Sequence, residues 1–180
     1  WRTLYAEQNV KEWGLQINGV TFSGKLDRVD QHVTSKALRV WDYKTGSDRK
    51  PADAHLAKAD EATPPWQRMQ DAAGKAKCWA DVQLPLYVWV LRQKHPGCDI
   101  SAGYFNLPAT VSDTGVKLWT DLDDETIAGA VAVAEEVVRR IKGSEFWPPT
   151  QDVAYDDFEM LLGDPLATVD PSLLQERGAR

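Results

Sequence analysis

Cysteine is scarce in this sequence. Cys78 and Cys98 are the only two in 180 residues. Two cannot build a zinc or iron–sulfur site alone, and a small secreted domain normally carries a fuller disulfide framework. Both read as reduced structural thiols of a cytosolic protein. Long apolar runs are lacking as well. None approaches the roughly 20 residues that a membrane helix needs, so no membrane partner is expected. No secretory signal, internal repeat or low-complexity block is visible. The chain begins at Trp1 rather than Met, which reads as a piece of something longer. Net positive charge is absent: the formal charge is -6, which argues against a general nucleic-acid coat. What is present, 43% hydrophobic and 27% charged residues, suits one compact domain with a real core.

The charge is unevenly spread. Residues 120–165 hold 12 acidic and 3 basic residues, whereas residues 1–119 hold 13 and 16. The mildly basic part is the one that can face phosphates.

Leu4–Ile17 and Val20–Asp30 read as two strands turning at Asn18-Gly19, the strongest short hairpin signal. A third strand, Ala37–Lys44, follows a turn near Thr34-Ser35. Residues 45–77 lack a clear period and contain Gly46, Pro51, Pro64, Pro65 and Gly74. They read as a long excursion with a helical turn around Ala52–Ala59. Asp81–His95 reads as a helix with Pro85 in its first turn, where a missing N–H costs little. Ile100–Leu107 and Gly115–Thr120 are expected strands. Asp123–Lys142 is the clearest helix, capped by Asp123, with Ile127, Val131, Ala134, Val138 and Ile141 as its apolar stripe and Gly143 as its stop. A short helix over Tyr155–Leu162 and poor order over 164–180 are expected beyond Trp147-Pro148-Pro149. The order implies an α/β fold, a mixed sheet with helices packed on it.

Side chains repeat every two residues along a strand, so Leu38, Val40, Asp42 and Lys44 share one face. That face begins apolar and ends ionic. Antiparallel pairing about Thr34-Ser35 places opposite each other positions that sum to 69, and Asp27 faces Asp42. Their Cβ atoms are then roughly 5 Å apart. Two such carboxylates repel unless a divalent cation takes oxygen from both. A slip of one residue would put them on opposite faces. Mg²⁺ or Mn²⁺ held by Asp27 and Asp42, with the backbone carbonyl of Tyr43 as a further ligand, would lower the pKa of a bound water and polarise a phosphate. Lys44 would orient that water or contact the scissile phosphate. Against this stands the ordinary reading of Asp-x-Lys at a strand end, a solvated ion pair; spacing alone leaves both open.

Gly24-Lys-Leu-Asp-Arg-Val-Asp30, Asp42-Tyr-Lys-Thr-Gly46 and Gln83-Leu-Pro-Leu-Tyr87 together resemble the RecB-type exonuclease family of the PD-(D/E)XK nuclease superfamily, in its order, over roughly residues 7–150. The resemblance implies a restriction-endonuclease-like core and metal-dependent hydrolysis of DNA phosphodiesters. It implies Asp27 and Asp42 as metal ligands, Lys44 as the catalytic lysine, and Gln83 and Tyr87 beside the site as substrate-binding residues. Gln83 and Tyr87 are one helical turn apart and share a face. The family acts on DNA ends or single strands, often attached to a helicase, in recombination and repair; a bacterial cytoplasmic, nucleoid-associated setting follows. Residues 1–150 would form the nuclease core, lacking an upstream helical segment that carries a further ligand, with Glu7 as a candidate substitute. Residues 151–180 would form a short helix and tail. Some relatives carry a four-cysteine iron–sulfur cluster; none is expected here. The alternative reading is a nuclease-like fold used as a non-catalytic DNA-binding or scaffolding module. A further rival is an unrelated α/β interaction domain in which Asp27 and Asp42 point apart.

Trp41, Trp79, Trp89 and Trp119 read as core, and Trp66 as the candidate for stacking on an unpaired base. His32, His55 and His95 read as surface histidines. Arg28 is expected to pair with Asp30. Arg49, Lys50 and Lys58 read either as contacts to a DNA backbone or as an ordinary solvated loop.

Overall fold

Asn18-Gly19 does turn the chain, with φ of 47° and 74° at the two residues, the left-handed pair that a tight hairpin turn requires. The hairpin it closes is short. In the computed structural model, which describes residues 1–46, 50–61, 63–71 and 73–145, β1 (Arg2–Asn9) stops early. A 3₁₀ turn at Lys11–Trp13 follows and ends at Gly14, whose φ of 68° cannot continue a strand. Only β2 (Gln16–Ile17) and β3 (Val20–Thr21) flank the Asn-Gly turn. The two long strands expected over residues 4–30 are therefore interrupted, and β4 (Lys25–Gln31) pairs back onto β1.

The next hairpin follows its expected register. β5 (Leu38–Lys44) pairs antiparallel with β4 as Arg28–Trp41, Val29–Val40, Asp30–Arg39 and Gln31–Leu38. Every pair sums to 69. The described residues of the 45–77 excursion form more regular structure than their composition implies. α1 (Pro51–His55) runs into β6 (Leu56–Lys58), which joins β7 (Arg68–Gln70) and β8 (Ala76–Trp79) in a small sheet of order β6-β8-β7. Leu56 and Trp79 lie opposite each other and are buried, so this sheet is fastened to the core by an apolar cross-strand pair.

α2 (Gln83–Lys94) follows. Leu84, Pro85, Leu86, Tyr87, Val88, Val90 and Leu91 are all buried. It is apolar nearly all round, the pattern of a helix sunk in the core, and it packs on β9 (Ile100–Asn106) and β5. β9 pairs parallel with β5 and antiparallel with β10 (Gly115–Leu118). The main sheet is thus mixed, in the order β1-β4-β5-β9-β10, with helices flanking it as the sequence implies.

α3 (Asp124–Lys142) starts where Asp123 Oδ1 accepts the Thr126 N–H at 2.8 Å, the expected cap. Its buried residues are Ile127, Ala130 and Val133. The expected stripe is rotated: Val131, Ala134 and Val138 are half-buried and Ile141 is 54% exposed. No helix among the described residues is long and apolar enough to cross a membrane.

The chain forms two compact units, residues 1–138 and 139–180. Of the second, residues 139–145 are described, and there Arg139 pairs with Glu145 at 2.8 Å. The expected helix over Tyr155–Leu162 and the tail over 164–180 lie outside the described residues, as does Arg49.

Trp41, Trp79 and Trp119 are buried, and Trp89 packs partly buried on the core. Trp66 is half-buried against the same core, so it is not a free-standing ring. His55 corrects its surface reading outright, being 0% exposed.

Candidate active site

The β4–β5 ladder records its last pair at Arg28–Trp41, and Asp27 and Asp42 follow at its open end. There the Asp27 carboxylate takes over a backbone role: its Oδ2 accepts the Tyr43 N–H at 2.8 Å. Asp42 points into the protein, 3% exposed. Burial pushes its carboxyl above the usual range, Lys44 opposes this, and the charge of Asp27 adds to it. Asp42 Oδ2 sits 2.6 Å from Lys44 Nζ. The pair is charge-matched, and the lysine is the partner that holds this buried oxygen.

Lys44 leaves the end of β5 with its ammonium bracketed. Gln83 Oε1 lies 3.5 Å from Nζ, a long contact, and the Tyr104 ring centroid lies 5.0 Å below it. Gln83, at the start of α2, donates from Nε2 to the Tyr87 hydroxyl at 2.8 Å. Tyr87 in turn donates to the Lys25 carbonyl at 2.8 Å. Burial raises the Tyr87 pKa; Gln83 acts against it, while Asp42, Asp27 and Asp81 add to it. The phenol therefore stays a donor. This series of bonds ties α2 to β4, with Gln83 beside Lys44 and Tyr87 behind Gln83.

Glu7 sits on β1 in the left-handed region, φ 53°, and its carboxylate pairs with Lys25. Arg28 pairs with Asp30 at 2.8 Å, as expected. Asp30 also accepts the Trp41 indole N–H at 3.1 Å and the Thr3 hydroxyl at 3.1 Å, which fixes the strand immediately before Asp42.

Three residues beside Lys44 escaped the sequence reading. Tyr104 and Asn106 on β9 lie opposite Asp42 and Lys44 in the parallel register, and both are buried. His55 accepts the Tyr104 hydroxyl at 2.8 Å. An alternating Ala102-Gly-Tyr-Phe-Asn106 strand hints at an inward Tyr and Asn, but only the β5–β9 pairing delivers them to the site.

The donors fit a hard divalent cation. Asp42 offers a buried carboxylate, Asp27 is close enough for its charge to act on Asp42, and carbonyl oxygen such as that of Tyr43 is a suitable third donor. No cluster of three or more His, Cys, Asp or Glu side chains with metal-binding geometry occurs among the described residues. An ion here would be one that retains several waters, as Mg²⁺ does.

Asp27, Asp42 and Lys44 thus lie at and just beyond the end of the central hairpin of a mixed sheet. The profile of the PD-(D/E)XK nuclease superfamily matches residues 1–153. The chain belongs to that superfamily, and its fold is restriction-endonuclease-like. Its members generally use divalent metals such as Mg²⁺ or Mn²⁺, and the fold implies binding of nucleic acid. No curated protein and no solved structure matches the chain significantly.

Proposed function

We propose that this chain is a divalent-metal-dependent DNA nuclease of the RecB type, an exonuclease module working in recombination and repair on DNA ends or single strands. The nuclease core is residues 1–150, with 151–180 appended, and the setting is the bacterial cytoplasm beside the nucleoid, with a helicase as partner. The observation that carries the reading is the convergence of Asp27, Asp42 and Lys44 at one open ladder end, with the buried Asp42 paired to Lys44 at 2.6 Å. The family match to residues 1–153 supports it.

Asp27, Asp42 and the Tyr43 carbonyl would hold Mg²⁺ or Mn²⁺. When bound, the ion supplies a lowered pKa for water and offsets charge on the phosphate oxygens. Lys44 contacts the scissile phosphate or orients the attacking water, its ammonium placed by Asp42 and Gln83. Gln83 lines the substrate side of Lys44, and Tyr87 supports Gln83 from behind.

The test is Mn²⁺-dependent degradation of end-labelled single- and double-stranded linear DNA, with Lys44→Ala beside the wild type. Cleavage by the wild type, lost in a folded Lys44→Ala variant, is the expected result, and the label shows end preference. No cleavage, combined with calorimetry that detects no Mn²⁺ binding, would favour a non-catalytic DNA-binding module. Mn²⁺ binding that is abolished in Asp42→Ala would keep the metal centre.

A further inference from the structure

We propose that Tyr104 and His55 are positioning residues for Lys44, fixing its ammonium against the reacting phosphate; the proposal rests on Lys44 being the catalytic lysine. Tyr104 is 1% exposed and His55 0% exposed. Two polar rings are thus buried directly behind a lysine, where Phe and Leu would fill the space without the cost of sequestering polar atoms. Their hydrogen bonds account for that cost. The Asp81 carbonyl can only accept, so His55 Nδ1 carries a proton and donates to it at 2.9 Å. Nε2 is then free to accept the Tyr104 hydroxyl at 2.8 Å. The imidazole also stacks on Trp119, with ring centroids 5.1 Å apart and planes 17° from parallel. Its orientation is set from both edges and one face.

The consequence reaches Lys44 by two routes. A phenol that donates to an imidazole gains electron density in its ring, which strengthens the pull of that ring on the ammonium 5.0 Å above it. Asp81 also anchors the other side: its Oδ1 accepts the Gln83 N–H at 2.7 Å, and Gln83 Oε1 lies on the far side of Nζ. One residue just before α2, Asp81, therefore anchors both the imidazole behind the ring and the amide beside the ammonium. A long lysine stem held this way has lost its rotational freedom before substrate arrives.

The experiment compares Tyr104→Phe, His55→Leu, their double variant, His55→Gln and Lys44→Ala in Mn²⁺-dependent cleavage, with rates normalised to folded protein. Tyr104→Phe keeps the ring and removes only the tether, so it guards against a His55→Leu variant that does not fold. His55→Gln is the conservative rescue, since its amide oxygen can accept from Tyr104. The expected result is a kcat about tenfold lower in Tyr104→Phe and in His55→Leu, with KM within about twofold of wild type, the pattern of lost orientation. The double variant should be no slower than either single one, because both break the same hydrogen bond. His55→Gln should recover to within about threefold of wild type.

A second readout needs no turnover. In lysine-labelled, metal-free protein, the Lys44 ε-methylene resonance should lie upfield of the other lysines, over the Tyr104 ring. It should shift back in Tyr104→Phe and His55→Leu and recover in His55→Gln. Wild-type kcat together with an unmoved resonance in Tyr104→Phe overturns the proposal, as do additive losses with a raised KM. If Lys44→Ala is inactive while Tyr104→Phe is not, the proposal alone falls. If Lys44→Ala cleaves normally, both it and the reading of Lys44 fall. If the wild type does not cleave, the nuclease reading and the catalytic role given to Tyr104 and His55 fall together, and an upfield Lys44 resonance then shows only that the ring seats the ammonium.

Discussion

Replacing Asp30 by Ala should destabilise the fold by about 3 kcal/mol. Asp30 is 7% exposed and accepts three hydrogen bonds, from Arg28 Nε at 2.8 Å, Trp41 Nε1 at 3.1 Å and Thr3 Oγ1 at 3.1 Å. The three donors do not suffer equally. Thr3 is exposed and rehydrates, and Arg28 is partly exposed and rehydrates in large part. The Trp41 indole is buried, and its orphaned N–H costs about 1–3 kcal/mol. Losing the charge-assisted bond to Arg28 adds about 1 kcal/mol, discounted for its exposure. At about 2–4 °C per kcal/mol for a chain this long, the melting temperature should fall by about 10 °C. Asp30→Asn retains one acceptor and should lose about half as much. Tryptophan-fluorescence denaturation in urea reads both variants, and a Trp41→Phe background should absorb most of the loss, since the two residues share one bond. A loss below about 1 kcal/mol in Asp30→Ala would falsify the claim that this carboxylate fastens Trp41, and with it the strand leading into Asp42.

Gly103→Ala should be worse than its one methyl suggests, because a Cβ there would stand 2.4 Å from the Lys117 carbonyl oxygen, 2.9 Å from the Trp41 ring and 3.0 Å from the Leu118 Cα. Two of those are backbone and cannot give way, so a cost of about 3 kcal/mol by chemical denaturation is expected, at the upper end for overpacking. Asp123→Ala should cost about 1 kcal/mol through loss of the α3 cap. Hydrogen bonds from the Thr126 backbone and side chain hold the Asp123 carboxyl below its usual 3.8. Its contribution is therefore complete above that value and lost as pH falls through the depressed one, so wild type and variant should converge in stability in acid and differ at neutral pH. Glu7→Gly releases a residue held at φ 53°. Relief of about 1 kcal/mol should outweigh the exposed pair with Lys25, leaving the variant at least as stable as wild type in thermal melts.

Much of the site could be read from the chain because it depends on local geometry. The short Thr34-Ser35 turn fixes the β4–β5 register, and with it the meeting of Asp27 and Asp42 at one ladder end. The i, i+4 spacing of Gln83 and Tyr87 puts both on one face of α2, and the buried core supplies the rest. What could not be read depends on long-range pairing. His55 stands in a stretch with no periodicity, between Pro51 and short strands of three or four residues, so nothing local distinguishes a buried histidine from a solvated one. Tyr104 and Asn106 reach Lys44 only through the parallel β5–β9 register, which no turn specifies. The α3 stripe was rotated because its small apolar positions, Ala130 and Val133 among them, extend the apolar surface to one side, and packing chose between two adjacent faces.

The parallel pairing of β5 with β9 also sets an order of assembly. The β4–β5 hairpin closes through one short local turn, whereas Tyr104 joins Asp42 only after the chain has passed through the small sheet and all of α2. Local contacts form early and distant parallel pairings late. The end of the site that carries Asp27 and Asp42 is therefore set by a local turn, and the end that carries Tyr104 by a pairing that spans the whole of α2.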